Sequence, residues 1–338
     1  MDVQASELTA AGAVETAART WWWVALGAIV FAGLLLRLHG IGHPILDHPG
    51  WRQGDTASIA RNFAQLRFNI AYPQTTYNGP PPNYVELELQ IVPFVSAMLY
   101  KAIGVHEWIG RAIVVLFSLA TIATLAYFGR WLFSSAIAGL SAAAVYAVFP
   151  GSVYYGRTFM PDAAMVFFLT AALYATTVAL CDERRFTLRG SIAPALLLTF
   201  AYLAKPVAVV AIVPVCLLIA LRYRERRPTN AIAVAIVTIV PLAVLWGYDR
   251  IVSSHAEWHW ASGITSLHVV PSLRAALTGG RAFVAKVSAF WTALGLVRAT
   301  MFGTAGFGLT LLGFVAIPWA KPKSRALLRS WLAAEIAY

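Results

Sequence analysis

What this chain can fold into is limited first by its apolar runs. The stretch from Trp21 to about Leu38, and several later stretches, suit a hydrocarbon layer, which a helix crosses in ~20 residues. Composition agrees. Hydrophobic residues make up 59% of the chain and charged residues only 12%, about half of the roughly 25% usual in a soluble domain; mean hydropathy is +0.68. One large soluble core is thereby excluded. No stretch shows the ~10-residue alternation of a membrane barrel. The expected fold class is an all-α, polytopic transmembrane protein of about eight spans plus a partial ninth, one transmembrane domain over 1–338. The first run has no small-residue cleavage site after it and reads as a retained span, not a signal peptide. Cys181 and Cys216 sit in or beside apolar runs and give neither a metal spacing nor a disulfide framework.

The formal net charge is +11. A nucleic-acid partner is excluded, because bases cannot reach basic residues embedded between spans. Orientation and an anionic lipid substrate remain. Short cytoplasmic loops collect Lys and Arg, and four segments here do so: Gly129-Arg130-Trp131, Asp182 to Arg189, Arg222 to Arg227 and Lys321 to Arg329. Placing all four on one side pairs the spans between them: about 135–153 with 162–180, about 191–203 with 207–221, and about 231–250 with 303–320. The first run then leads outward, residues 40–107 form a long external loop, and 108–128 return. Within that loop Ile91 to Gly104 is too short for a comfortable span and reads as an interfacial helix. The chain stops at Tyr338, partway into a ninth apolar segment, so a truncated chain is expected.

Under this topology polar residues far apart in sequence share one depth. They are Asp55 in "HPGWRQGDTASIARNF", Asp162 in "YYGRTFMPD", Lys205 at the tip of the short hairpin, and His255, Glu257 and His259 in "HAEWHW". Ionisable groups at such a depth are costly, and functional use is the default reading. Each also has a bland reading. Asp55 caps a helix over Thr56 to Arg67. Asp162 favours a helix amino terminus through the dipole. Lys205 snorkels. His255 and His259, four apart, share a helical face with a metal, or, in the blander case, belong to an interfacial Trp/His belt; the order of residues is not the zinc-protease H-E-x-x-H. Phosphate-loop, Rossmann and nucleophile-elbow motifs are missing.

The segments "WRQGDTASIARNF", "GPPPNYVELELQIVPFVSAMLYKAIG", "YYGRTFMPD" and "YLAKP", in that order, resemble the membrane-embedded GT-C glycosyltransferases of the dolichyl-phosphate-mannose–protein mannosyltransferase type, a group that includes the bacterial lipid A aminoarabinose transferase. The resemblance runs from about Trp21 to about Leu221. It implies a glycosyltransferase in the bacterial inner membrane, multi-pass, with its active site facing the periplasm. The donor would be a polyprenyl-phosphate-linked sugar and the acceptor a lipid, glycan or protein hydroxyl. The family's first-loop aspartate falls on Asp55 and its second external aspartate on Asp162, the expected catalytic pair. Its acidic motif, often Glu-Phe-Pro, falls on Glu88-Leu89-Gln90; Gln90 replaces the proline, so Glu86 is expected to share the role. Its hairpin lysine falls on Lys205.

The implied chemistry is an inverting displacement at the anomeric carbon. A base must take the acceptor proton and cations must meet the leaving phosphate. Asp55 is the expected base. Asp162 orients the acceptor or a cation, and Arg52, Arg157 and Lys205 are the expected phosphate partners. Glu86, Glu88, His255 and His259 complete the expected substrate-binding set. Arg61, Arg67, Arg274, Arg281 and Lys286 would attract anionic membrane lipids. Some members of the group use a divalent cation and some do not, so the cofactor is left open. A lipid or sugar transporter or flippase is the main alternative; it calls for inverted repeats and helices broken at the midplane. A structural scaffold is the second, and it would tolerate loss of Asp55 and Asp162.

Overall fold

The computed structural model describes residues 2–260 apart from Asn78 and 182–185, with scattered single residues after 287; side chains are described from Thr20 onward. The expected span at 303–320, the partial ninth segment and the basic segment from Lys321 lie, single residues aside, outside the described residues. So do Arg274, Arg281 and Lys286.

The described chain is almost wholly helical. In order it forms α1 (Asp2–Leu38), α2 (Gly50–Gln65), β1 (Val85–Glu86), α3 (Ile91–Ile103), α4 (Glu107–Phe133), α5 (Ala136–Val148), α6 (Pro150–Tyr155), α7 (Asp162–Cys181), α8 (Leu188–Ala204), a 3-10 turn (Pro206–Ala211) running into α9 (Ile212–Arg224), α10 (Ala231–Ser253) and β2 (Trp258–His259). Among the described residues, five helical segments are long and apolar enough to cross a membrane: Thr20–Leu38, Glu107–Phe133, Asp162–Cys181, Pro206–Arg224 and Ala231–Ser253. The shorter apolar helices are α3, α5 and α8. The chain is therefore an all-α polytopic membrane protein.

One expected span is interrupted. The 135–153 run breaks at Phe149, which is extended (φ −60°, ψ 132°) because Pro150 follows it; Pro150 then opens α6 at the position where its missing N–H costs nothing. The break leaves carbonyls of the last turn of α5 without helical partners. Arg37, fully buried, meets them: its guanidinium donates to Ala147 O (2.9 Å) and Tyr146 O (3.2 Å), and to Ser118 Oγ (2.7 Å) and Ser152 O (3.1 Å).

The basic segments gather at one end. Arg222 donates to Leu180 O (2.7 Å), Pro228 O (2.6 Å) and Thr229 Oγ1 (3.0 Å), and Arg227 to Cys181 O (2.9 Å). These two cations thus cap the carboxy end of α7, where the helix dipole favours them. Arg130 lies over the Trp22 ring at 4.7 Å, so the amino end of the first span shares this end. Three of the four basic segments are thereby at one end, as the pairing of spans predicts.

Apolar contacts hold the layers together. Leu173, Leu198, Tyr202, Val215, Leu218 and Val237 join α7 to α10, and Trp22, Leu26, Ile122 and Leu140 join α1, α4 and α5. Helices α4 and α5 approach through small residues, as membrane helices do when dispersion rather than water expulsion drives packing. A Cβ on Gly139 would stand 2.2 Å from Ala126 O, and one on Gly129 3.0 Å from the Gly139 Cα. Gly139→Val is expected to push the pair apart and destabilise the protein by about 1–3 kcal/mol, read as a lowered midpoint when detergent-purified protein is heated; an unchanged midpoint would contradict this packing.

Candidate functional site

The opposite end carries the polar residues singled out by sequence. Its frame is Arg111, buried near the start of α4. One guanidinium nitrogen donates to Gly40 O (3.0 Å) and His43 O (2.6 Å), and the other to Asp47 Oδ1 (2.8 Å). The loop leaving α1 is thereby folded back on α4. Gln53 Nε2 donates to Asp47 Oδ1 (3.1 Å), and Gln53 Oε1 accepts from Phe159 N (3.0 Å). That second bond ties α2 to the turn before Asp162. The turn is seated closely: a Cβ on Gly110 would fall 2.4 Å from the Phe159 ring.

Asp55 lies inside α2, buried at 8% exposure. It is not a cap, because α2 starts five residues earlier at Gly50 and Thr56 Oγ1 already donates to the helical carbonyl of Arg52 (2.8 Å). Burial raises the Asp55 carboxyl above the ordinary carboxylate range; the Tyr77 hydroxyl and the charge of Arg52 oppose that shift without cancelling it. The Tyr77 hydroxyl is itself pushed above its ordinary range, first by burial, then by Asp55. It therefore stays a proton donor.

Arg52, three residues before Asp55, is ion-paired with Glu88. The backbone of Glu88 accepts from Tyr248 on α10 (3.4 Å) and from the Gln90 side-chain amide (2.8 Å). Gln90 adopts φ −77°, near the value proline imposes, and its own side chain closes the turn. The Leu89 N–H donates to Leu203 O (2.8 Å), which seats the acidic segment on the end of α8.

Lys205 follows α8 directly, and its Nζ lies 2.6 Å from Asp162 Oδ1. Asp162 opens α7, as a dipole-stabilised acid would, yet its Oδ2 is buried with no partner in the protein. Glu86, buried, accepts from Ser253 (3.2 Å) and faces His259 Nδ1 (3.2 Å) and the Asp249 carboxyl. Residues 85–86 pair in parallel with 258–259.

The two histidines do not share a helical face. His255 follows α10, stacks on Tyr72 at 3.9 Å and bonds Ala71 O through Nε2 (2.7 Å), while His259 sits in β2. Their four-residue spacing misled because the helix stops at Ser253. Arg157 donates to His39 O. Arg67 lies over the Tyr72 ring at 3.4 Å, and Arg61 is exposed. Among the described residues no group of three or more His, Cys, Asp or Glu side chains is placed to hold a metal ion.

Sequence reasoning passed over Arg37, Arg111, Gln53, Tyr77 and Asp249. An arginine within or beside an apolar run is itself a signal, and it would have found the first two. Tyr77 left none, since it stands in a Pro- and Asn-rich loop.

The fold is that of a multi-span helical membrane protein with acidic and basic side chains clustered at one end of the bundle. Residues 90–247 match the model of the dolichyl-phosphate-mannose-protein mannosyltransferase family, and the match supports a mannosyltransferase-like membrane glycosyltransferase of the GT-C type. It covers just under half of the chain, from the turn before α3 into α10, and takes in Asp162 and Lys205 but not Asp55. No curated protein matches the chain.

Because Arg111, itself buried, satisfies several backbone carbonyls and one carboxylate at once, Arg111→Ala is expected to cost about 3 kcal/mol or more and to loosen residues 39–49. Limited proteolysis and thermal unfolding report the two effects, and a variant as resistant as wild type would overturn this account.

Proposed function

We propose that this protein moves a sugar from a polyprenyl-phosphate donor to a hydroxyl of a lipid, glycan or protein, with inversion, at the periplasmic face of a bacterial inner membrane. In this reading residues 40–107 form the external loop of one transmembrane domain. The observation that carries it is the bond from Gln53 to the backbone of Phe159. It holds the element bearing Asp55 against the turn bearing Asp162, so that two carboxylates and two cations from three separate segments face one end of the bundle.

The acceptor hydroxyl gives its proton to Asp55 as its oxygen bonds the anomeric carbon. The bond from that carbon to the phosphate oxygen breaks, and the electron pair leaves with the polyprenyl phosphate. A buried carboxylate with a raised proton affinity is a stronger base than an exposed one. Asp162 orients the acceptor; its Oδ2 has no hydrogen-bond partner in the protein. Lys205 and Arg52 meet the charge that grows on the leaving phosphate. Arg157, Glu86, Glu88, His255 and His259 complete the proposed substrate-binding set; each has a protein partner in the structure, so a substrate must share or displace that bond. No step is routed through a metal.

Asp55→Asn should lower transfer from a radiolabelled polyprenyl-phosphate sugar by about 100-fold or more while the thermal midpoint stays near wild type. Asp55 acts as a base only when ionised. Wild-type activity is therefore expected to fall as pH drops through a carboxyl titration lying above the ordinary carboxylate range. Turnover retained in the variant would sink the assignment of Asp55.

A further inference from the structure

The polar end of the bundle also carries an aromatic surface that the proposed reaction leaves unused. Tyr77 stacks on Trp260, with ring centroids 5.9 Å apart and planes 17° from parallel. Three segments hold the pair. Gln74 bridges Tyr84 in antiparallel fashion, and Thr75 N donates to Asn83 O (3.1 Å), which closes the loop that presents Tyr77. Asn62 of α2, buried, donates to Gln74 O (2.9 Å), so that loop is pinned to the helix bearing Asp55. Trp260 directly follows β2, which pairs with Val85 and Glu86, and it packs against the cluster of Ile59, Phe63, Val85, Leu87 and Ala97. Ile59 lies one helical turn beyond Asp55, on the same face of α2. The stacked pair is thus braced beside the segment that bears the carboxylate. One face of Tyr77 is spent on Trp260, yet the residue remains 39% exposed, so the open surface is its other face and its edge.

We propose that the open face of Tyr77, backed by Trp260, is a stacking platform for a pyranose ring. The ligand class rests on the sugar transfer proposed above. A pyranose is polar around its rim but presents C–H bonds on its faces, and those hydrogens carry slight positive charge. The face of an aromatic ring is the negative side of its quadrupole, so the two surfaces attract and exclude water from each other. Stacking of this kind fixes the plane of a sugar without using its hydroxyls, which stay free for reaction and for polar side chains. A tyrosine has few rotatable bonds, and this one is already held on its rear face, so little freedom is lost when the sugar docks. The same chemistry is offered by the sugar of a lipid-linked donor and by a sugar unit of a glycan acceptor.

Binding is tested apart from transfer. Full-length protein in detergent is mixed with the methyl pyranosides of mannose, glucose and galactose, and saturation-transfer NMR reports which sugar C–H groups approach aromatic protons. At least one glycoside is expected to show transfer to the hydrogens of one ring face. Tyr77→Leu should weaken that binding by about 10-fold, while Tyr77→Phe, which keeps the ring, should match wild type. Tyr77→Gln answers the same question if the leucine variant does not fold, and Tyr223→Leu, an exposed tyrosine at the opposite end of the bundle, is the control. In the transfer assay, a KM that rises in Tyr77→Leu for the polyprenyl-phosphate sugar alone assigns the platform to the donor, and one that rises for the acceptor alone assigns it to the acceptor glycan. Glycoside binding that is absent in wild type, or unchanged in Tyr77→Leu along with both KM values, would overturn the platform and leave the transfer reaction untouched. Ring-dependent binding in a protein that transfers no sugar would do the reverse: the platform would stand and the transferase reading would fall.

Discussion

A backbone carbonyl at the end or break of a membrane helix has no water to turn to, and here buried arginines supply the missing donors. Arg37 serves the break between α5 and α6, Arg222 the end of α7, and Arg111 the loop leaving α1. Each guanidinium carries five donors in a fixed fork, so a single side chain can close several orphan carbonyls at once. A charge buried this way is expensive unless fully bonded. All three are 2% exposed or less, and each donates to backbone carbonyls, Arg111 to the Asp47 carboxylate as well. The polar end of the bundle follows from the third. Without Arg111 holding Gly40, His43 and Asp47, the loop that turns α2 toward the bundle has no fixed start.

From that start the connections run in one direction. Asp47 holds Gln53, Gln53 holds the turn before Asp162, Asp162 holds Lys205, and the residues beside Lys205 hold the Glu88 segment through Leu203 and Leu89. Glu88 returns to Arg52, one turn of helix from Asp55. The circuit closes on itself through side-chain and backbone bonds that join α2, the start of α7 and the end of α8. A loop of 68 or so residues can thus be ordered at a membrane surface with a two-residue strand as its only sheet among the described residues. The breaks in helical structure, at Phe149 and at Lys205, lie at this same end, which suits an enzyme face better than a carrier whose helices break mid-membrane.

Much of this was legible in the sequence, and the parts that were not share a cause. Hydropathy and the basic segments located the helices, because both reflect transfer between water and hydrocarbon, which is local and additive. The split at Pro150 was readable too, but the length of the apolar run concealed it. Asp55 was expected as a possible cap because polar residues before an apolar face usually are; the helix instead began at Gly50, behind a proline, and carried the aspartate inside. For His255 and His259 a shared helical face was one reading beside an interfacial Trp/His belt, and the shared face fails because α10 ends at Ser253, before the first of them. Tyr77 and Gln53 could not be read at all. Tyr77 is set by Trp260 and Gln53 by Phe159, both far along the chain, and no local pattern carries that information.

One consequence bears on how an anion could enter. Under the proposed reaction the phosphate of the donor would not meet a bare cation: Lys205 is held by Asp162 and Arg52 by Glu88. Pairing offsets the desolvation cost of each charge while the site is empty. It does not saturate them. An ammonium has three protons and Asp162 takes one, and a guanidinium has five and the Glu88 contact uses one nitrogen. A phosphate can therefore join each pair rather than break it, bringing two negative charges to one cation. That arrangement weakens the hold of Lys205 on Asp162 as the leaving phosphate gathers charge. The acid that orients the acceptor and the cation that meets the phosphate are then coupled through a single 2.6 Å contact, and a substitution at either end is felt at both.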